Sequence, residues 1–233
     1  MRDIQDIITW QEDGTPFSEV FSDIYFSKAQ GFDEKSHVFI NGNNLPERFK
    51  TAGNFTIIEA GFGTGLNFLL TLKHWQELAP KDAVLKYIGF EQYPMSQIQI
   101  IKSLEKWRGE LPQFDQFIEC YSTLKVADKV FNCNINNCSL RLHLGDINSS
   151  ILLLNDQADA WFLDGFSPAK NPQMWSDKLL AQMPRLTKAG GSFATYSAAG
   201  WLREKLRQQG FLVQKAKGFA NKKAMNKGVF QSE

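Results

Sequence analysis

Short apolar runs alternate along this chain with longer stretches of helical spacing. Residues 56–60 (TIIEA) form a β-branched run that predicts a strand, GFGTG at 61–65 turns the chain, and LNFLLTLKHW at 66–75 has the apolar spacing of a helix. A second strand is predicted at 84–91 (VLKYIGFE), ending in Glu91, with Pro94 placed to open a helix running to about Trp107. Together these make a βαβ unit. LRLHL at 140–144 leads to Gly145 and Asp146, a helix is expected over 147–154, and AWFL at 160–163 leads to Asp164. Helices near 175–184 and 198–209 and strands at 191–195 and 211–215 continue the alternation, with Gly210 as a terminator. Such alternation predicts a largely parallel sheet covered on both faces, joined by right-handed crossovers, with ligand outside the strand C-terminal ends.

Residues 14–50 are less regular. DIYF at 23–26 and HVFI at 37–40 are expected to pair as a small β element, with turns at Gly31 and at GNN 42–44. Residues 1–50 are therefore read as an N-terminal cap on a core of 51–233, the two forming one compact domain. Residues 111–139 carry the weakest pattern.

At 43% hydrophobic residues, including 19 Phe, the 233-residue chain has apolar material for a substantial core and needs no disulfide or metal staple. Cys120, Cys133 and Cys138 do not make a dense pairing framework, the start of the chain does not read as a secretory signal, and the apolar runs are too short to span a bilayer. The expectation is a cytoplasmic protein with unpaired thiols and no membrane partner. Overall charge is +1, but residues 201–233 hold eight Lys/Arg against two Glu, which leaves 18 Lys/Arg and 23 Asp/Glu on residues 1–200. That basic end either attracts nucleic-acid phosphates or is simply a solvated rim.

The glycine turn narrows the chemistry. Gly61, Gly63 and Gly65 alternate after the first core strand, which is not GxGxxG, and no GxxxxGK[ST] is present to hold terminal phosphates. A structural turn, a dinucleotide site and an S-adenosylmethionine site all remain open. Glu91, one βαβ half-step later, suits ribose hydroxyls in either cofactor. Glu59 is awkward beside pyrophosphate and useful beside a cationic methionine group, which favours the methyl donor. His37, His74 and His143 show no metal-ligand spacing, Cys133 and Cys138 lack a matching pair, and Ser167 lies outside a nucleophile elbow, so no metal is expected.

Residues 59–69 (EAGFGTGLNFL), 159–175 (DAWFLDGFSPAKNPQMW) and 193–200 (FATYSAAG) resemble the methyltransferase domain of the tRNA 5-methylaminomethyl-2-thiouridine biosynthesis proteins. Further similarity at 21–27 (FSDIYFS), 42–49 (GNNLPERF) and 218–223 (GFANKK) extends it over essentially the whole chain. The resemblance implies an α/β, Rossmann-like class I fold and transfer of a methyl group from S-adenosylmethionine to the exocyclic amine of 5-aminomethyl-2-thiouridine at the tRNA wobble position. It also implies tRNA as partner, and an FAD-dependent oxidoreductase, separate or on a segment outside this sequence, that prepares the amine. A small-molecule amine methyltransferase and a non-catalytic tRNA-binding protein are the alternatives.

Matched residue by residue, the resemblance places Glu59, Gly61, Gly63 and Gly65 in the cofactor loop. Glu91 is expected at the ribose, Asp146 at the adenine amino group or as a helix N-cap, and Tyr25 over the cofactor. Asp164 is the candidate catalytic residue, orienting the amine, stabilising developing positive charge and receiving a proton, with a structural loop bond as its other role. Phe166, Pro168, Lys170, Asn171 and Tyr196 are expected around the nucleoside, and Lys222 and Lys223 on RNA phosphate. Aromatic packing competes with stacking for Phe26 and Trp175.

Overall fold

The computed structural model describes residues 7–125 and 127–231. The first six residues of the expected cap and residues 232–233 of the basic end lie outside them. The chain opens with an antiparallel three-stranded sheet, β1 (Ile8–Trp10), β2 (Pro16–Ser18) and β3 (Asp23–Ile24). Helix α1 (Gly31–Lys35) runs into a π-helical segment, Ser36–Asn41, and α2 (Leu45–Phe49) follows. Residues 37–40 are therefore helical, not the strand their β-branched content suggested. The wide turn buries Val38, Phe39 and Ile40 consecutively, which a strand with period 2 would not do on one face.

The core continues through β4 (Asn54–Ala60), α3 (Leu66–Leu78), β5 (Val84–Glu91), α4 (Gln97–Leu104), α5 (Phe114–Tyr121), β6 (Val130–Ile135) and β7 (Cys138–Leu144). After these come α6 (Ile147–Ser150), β8 (Ala158–Leu163), α7 (Asp177–Leu180), β9 (Thr187–Thr195), α8 (Gly200–Gln208), β10 (Phe211–Ala216) and β11 (Met225–Phe230). The eight core strands order as β10-β11-β9-β8-β4-β5-β7-β6. Strands β9, β8, β4, β5 and β7 are parallel neighbours, while β6 and β11 run antiparallel to theirs. From β4 the chain builds outward to β7, then returns to lay β8 on the other side of β4. Reversal at β4 splays the loops after β4 and β8 and opens a crevice at their C-terminal ends.

Strand side chains divide between two cores, as parallel strands buried on both faces require. Ile57, Leu85, Tyr87, Ala160 and Phe162 face one cluster; Ile58, Ile88, Phe90, Trp161 and Leu163 face the other. Helix α3 buries Leu66 through Leu72 without a break, because the sheet lies on one side of it and the N-terminal helical segments on the other.

Several boundaries differ from expectation for local reasons. Ser96, not Pro94, starts α4 through a reciprocal capping box with Gln99, and α4 passes into a 3-10 turn at Glu105–Glu110. The weakly patterned 111–139 stretch contains β6, whose buried and exposed positions alternate strictly and which hairpins into β7 across Asn136 and Asn137. Cys120 and Cys133 are joined as a disulfide linking α5 to β6, which corrects the expectation of unpaired thiols; Cys138 is free and buried. Among the described residues, no helix is long and apolar enough to cross a membrane.

Candidate functional site

Loops following β4, β5, β7 and β8 enclose a cavity of about 400 Å³, closed from above by residues from β3 through α1. Its first wall is the glycine turn. Gly61, Gly63 and Gly65 have φ of +90°, +55° and +77°, the left-handed region where glycine carries little penalty. A Cβ on Gly61 would lie 2.0 Å from the Asp164 carbonyl oxygen, so this glycine lets the β4 and β8 ends meet. Gly61 and Gly63 line the cavity. Gly65 does not: a Cβ there would meet Phe117 at 3.0 Å and Phe62 at 3.2 Å, and its role is to turn the chain into α3.

Glu91 braces this turn. Its Oε2 accepts the Gly63 N–H at 2.7 Å and its Oε1 accepts the Tyr93 N–H at 2.8 Å. Burial pushes the carboxyl above its ordinary 4.5, opposed by those two backbone donors. A carboxylate has about four acceptor positions, so both oxygens retain capacity for ligand hydroxyls. Asp146 lines the cavity and also caps α6, accepting the Asn148 N–H at 3.0 Å.

Asp164, at the end of β8, is 9% exposed and lies on the cavity wall. Its backbone N–H donates to the Ala60 carbonyl at 3.0 Å, locking it to β4. Oδ2 accepts the Asn67 amide Nδ2 at 2.6 Å and also pairs with the Lys35 ammonium. Burial raises the Asp164 carboxyl above 3.8, with Lys35 opposing. The same Asn67 nitrogen donates to Glu59 Oε1 at 2.6 Å, and Tyr87 donates its hydroxyl to Glu59 Oε2 at 2.8 Å. Glu59 is wholly buried and is not part of the cavity wall, which corrects its placement among direct cofactor contacts. Burial, then the charge of Asp164, push its carboxyl well above 4.5. Asn67 Oδ1 remains a buried acceptor without a partner among the described residues.

Aromatic residues form the mouth. Phe21 stacks on Phe166 at 4.7 Å between centroids and Tyr25 meets the same ring edge-on at 5.0 Å; all three line the cavity. Burial, then the charge of Glu91, raise the Tyr25 hydroxyl. Tyr196 also lines the cavity and donates to the Gly165 carbonyl. Lys222 also reaches the wall, pairing with Glu34 and lying 5.3 Å from the Tyr196 ring centroid. Asn171 lines the cavity and accepts the Met174 N–H at 3.3 Å.

Three residues expected around the substrate are not on the cavity wall. Pro168 is off the wall. Lys170 turns outward to Asp23 at 3.0 Å and the Ser22 carbonyl at 2.6 Å, fastening the N-terminal arm to the β8 loop. Lys223 is exposed outside the cavity. Trp175 is buried and donates its Nε1–H to the Phe166 carbonyl at 2.9 Å, so it supports the loop from within the core. Sequence reasoning missed Lys35 and Phe21. Lys35 carries no local motif, and Phe21 sits inside the FSDIYFS resemblance without a distinguishing position. Asn67 was legible in principle, standing within the quoted glycine-turn motif two residues after Gly65.

A family model described as S-adenosyl-L-methionine-dependent methyltransferase matches residues 110–231. The chain is 38% identical over 229 residues to the tRNA 5-methylaminomethyl-2-thiouridine biosynthesis bifunctional protein MnmC of Ectopseudomonas mendocina, an alignment covering 97% of this chain and 35% of that protein. It is 40% identical over 233 residues to the MnmC protein of Hahella chejuensis, covering 97% and 37% respectively. The chain thus spans about a third of the length of these curated relatives. The solved structure of MNMC2 from Aquifex aeolicus superposes with a TM-score of 0.77 at 24% identity, covering 97% of this chain and 70% of that one, and has the same fold. The strand order with its reversal at β4, the glycine turn beside it and a family match running from the 3-10 turn through β11 converge, and the chain belongs to the S-adenosyl-L-methionine-dependent methyltransferases, with a Rossmann-like class I fold.

Proposed function

We propose that this chain methylates the exocyclic amine of 5-aminomethyl-2-thiouridine at the wobble position of tRNA. The observation that carries the reading is the placement of Asp164: a nearly buried carboxylate on the cavity wall, between the glycine turn and the aromatic mouth. Similarity over 97% of the chain to proteins named for this modification supplies the substrate class.

The residues fit S-adenosylmethionine. The unpartnered Asn67 Oδ1 is an acceptor suited to an ammonium group, and the absent side chains of Gly61 and Gly63 leave room for close backbone approach. Glu91 suits the ribose hydroxyls, and Asp146 is available to an amino group on the base. Glu59 acts from behind by fixing the Asn67 amide. Bound there, the cofactor supplies an electrophilic methyl group on a positively charged sulfur. Asp164 then accepts an N–H of the amine and directs its lone pair along the attack line, where alignment is the dominant requirement. Phe166 and Tyr196 flank the entering base, and the rings at the mouth exclude water.

The basic end gives this mouth a phosphate-facing side. Lys215, Lys217 and Lys223 are exposed on or beside β10 and the loop preceding β11, the loop that also delivers Lys222 to the cavity. In the longer relatives, the remaining two thirds of the chain is where we place the second activity, an FAD-dependent oxidoreductase that prepares the amine. The deciding experiment is methyl transfer to purified tRNA carrying 5-aminomethyl-2-thiouridine, with fully methylated tRNA and free amines as comparisons and nucleoside analysis of the product. Formation of the 5-methylaminomethyl nucleoside is expected; transfer to free amines with no dependence on tRNA would overturn the substrate assignment.

A further inference from the structure

An alkyl amine attacks only through its unprotonated lone pair, and a lone carboxylate beside it favours the opposite state, the ammonium ion. Asp164 would therefore hold its substrate in the unreactive form unless its charge were cancelled. Lys35 does this. Its ammonium reaches from α1 to Asp164 Oδ2, with side-chain exposures of 13% for Lys35 and 8% for Asp164, so the pair sits in weakly screened surroundings. Lys35 and Asn67 both occupy Oδ2, and Oδ1 accepts no hydrogen bond among the described residues. Asp164 is thus neutralised on one oxygen and open on the other.

Resting on the methyl-transfer reading above, we propose that Lys35 is a positioning residue that keeps the acceptor amine unprotonated while Asp164 holds it. The other charged or titratable groups packed around the pair have partners of their own. Glu34 of α1 pairs with Lys222, Asp23 of β3 with Lys170, and Glu59 of β4 is held by Tyr87 of β5 and Asn67 of α3. Glu91 accepts backbone N–H groups, and Tyr196 donates to the Gly165 carbonyl. Glu59 and Glu91 meet only neutral donors, and among the described residues Lys35 is the cation in contact with Asp164, so its charge is the part of the field at the amine that a substitution there removes. In the transfer step, the amine lone pair forms the N–C bond while the S–C electrons remain on sulfur. The positive charge passed to nitrogen is then lost as that nitrogen releases a proton to water.

The test is the pH dependence of kcat for wild type, Lys35→Met and Lys35→Arg, on an anticodon stem-loop RNA carrying 5-aminomethyl-2-thiouridine. RNA binding without the methyl donor is followed alongside by fluorescence anisotropy. Removing a full charge about 5 Å from the amine at an effective permittivity of ~20–40 is worth at least about one pH unit. Lys35→Met is expected to raise the midpoint by about that amount, to lose about tenfold in rate at pH 7 and to recover near pH 9.5. At pH 7 it should also bind the aminated RNA several-fold more tightly than wild type does, each measured relative to RNA lacking the amine. Lys35→Arg retains the charge and the wild-type midpoint. A Lys35→Met midpoint identical to wild type, whether the rate is unchanged or uniformly lower, overturns the proposal. Thermal melting and cofactor binding check each variant, and Lys35→Gln carries the same test if the methionine variant does not fold. Wild type that methylates neither this RNA nor full-length tRNA carrying the same nucleoside refutes the proposed function itself, whereas an active wild type with an unmoved Lys35→Met midpoint refutes only the role of Lys35.

Discussion

Gly61→Ala tests whether the glycine turn and Asp164 form one structural unit. At φ +90°, an alanine carries the left-handed strain of about 1–2 kcal/mol. Its Cβ would also fall 2.0 Å from the Asp164 carbonyl oxygen and 2.9 Å from the carbonyl carbon. Neither atom belongs to a flexible side chain, and Asp164 is tied to Ala60 through its own N–H. Relief therefore requires the β4 and β8 ends to separate, at about 1–3 kcal/mol by analogy with overpacked cores. The sum is about 2–5 kcal/mol, or a fall in Tm of about 5–15 °C for a chain of this size. Gly145→Ala isolates the backbone strain, since Gly145 has φ +112° with nothing within 4 Å of its added Cβ. That control should lose about 1–2 kcal/mol. Thermal unfolding and calorimetric titration with S-adenosylmethionine provide the readouts, and Gly61→Ala should also weaken cofactor binding at least about tenfold as the cradle opens. A Gly61→Ala protein that melts no lower than Gly145→Ala and binds cofactor like wild type would refute the reasoning.

Asp164→Asn should reduce single-turnover methyl transfer by about 10²–10⁴ while changing cofactor affinity far less, because the neutral amide lacks the carboxylate's charge and orients the amine less strongly; near-normal chemistry would remove its catalytic assignment. Glu59 has its carboxyl raised in the fold, so the stability tied to it is fully present below the ordinary 4.5 and is lost as pH climbs through the raised folded value. Urea unfolding from pH 5 to pH 8.5 should accordingly show wild type losing stability relative to Glu59→Gln, and parallel curves would contradict the burial argument. Replacing Lys215, Lys217 and Lys223 together with alanine should flatten the plot of log tRNA affinity against log salt by about 2–3 while sparing cofactor binding. Unchanged tRNA affinity at low salt would show that this edge does not meet RNA.

The places where the sequence was legible share a physical character. Strand β5 formed over the predicted residues 84–91 because a run of mostly buried apolar positions flanked by turns specifies a sandwiched strand regardless of its neighbours. Strand β6 was equally readable, since its apolar positions alternate and two asparagines follow, but its polar half masked the pattern. Residues 37–40 misled because a β-branched run shows apolar content without revealing that a π turn aims three consecutive side chains inward.

By itself, the sequence determined the alternation of strands and helices, the glycine turn and the carboxylates Glu91, Asp146 and Asp164 at strand ends, because backbone preference and side-chain period are local properties. Tertiary structure alone placed β11 between β9 and β10, moved Glu59 behind the wall and Gly65 out of it, and brought Lys35 onto a carboxylate 129 residues away. Those outcomes depend on which surfaces the sheet and α3 leave to be covered. A charge pair spanning that separation is set by packing, which no local pattern encodes.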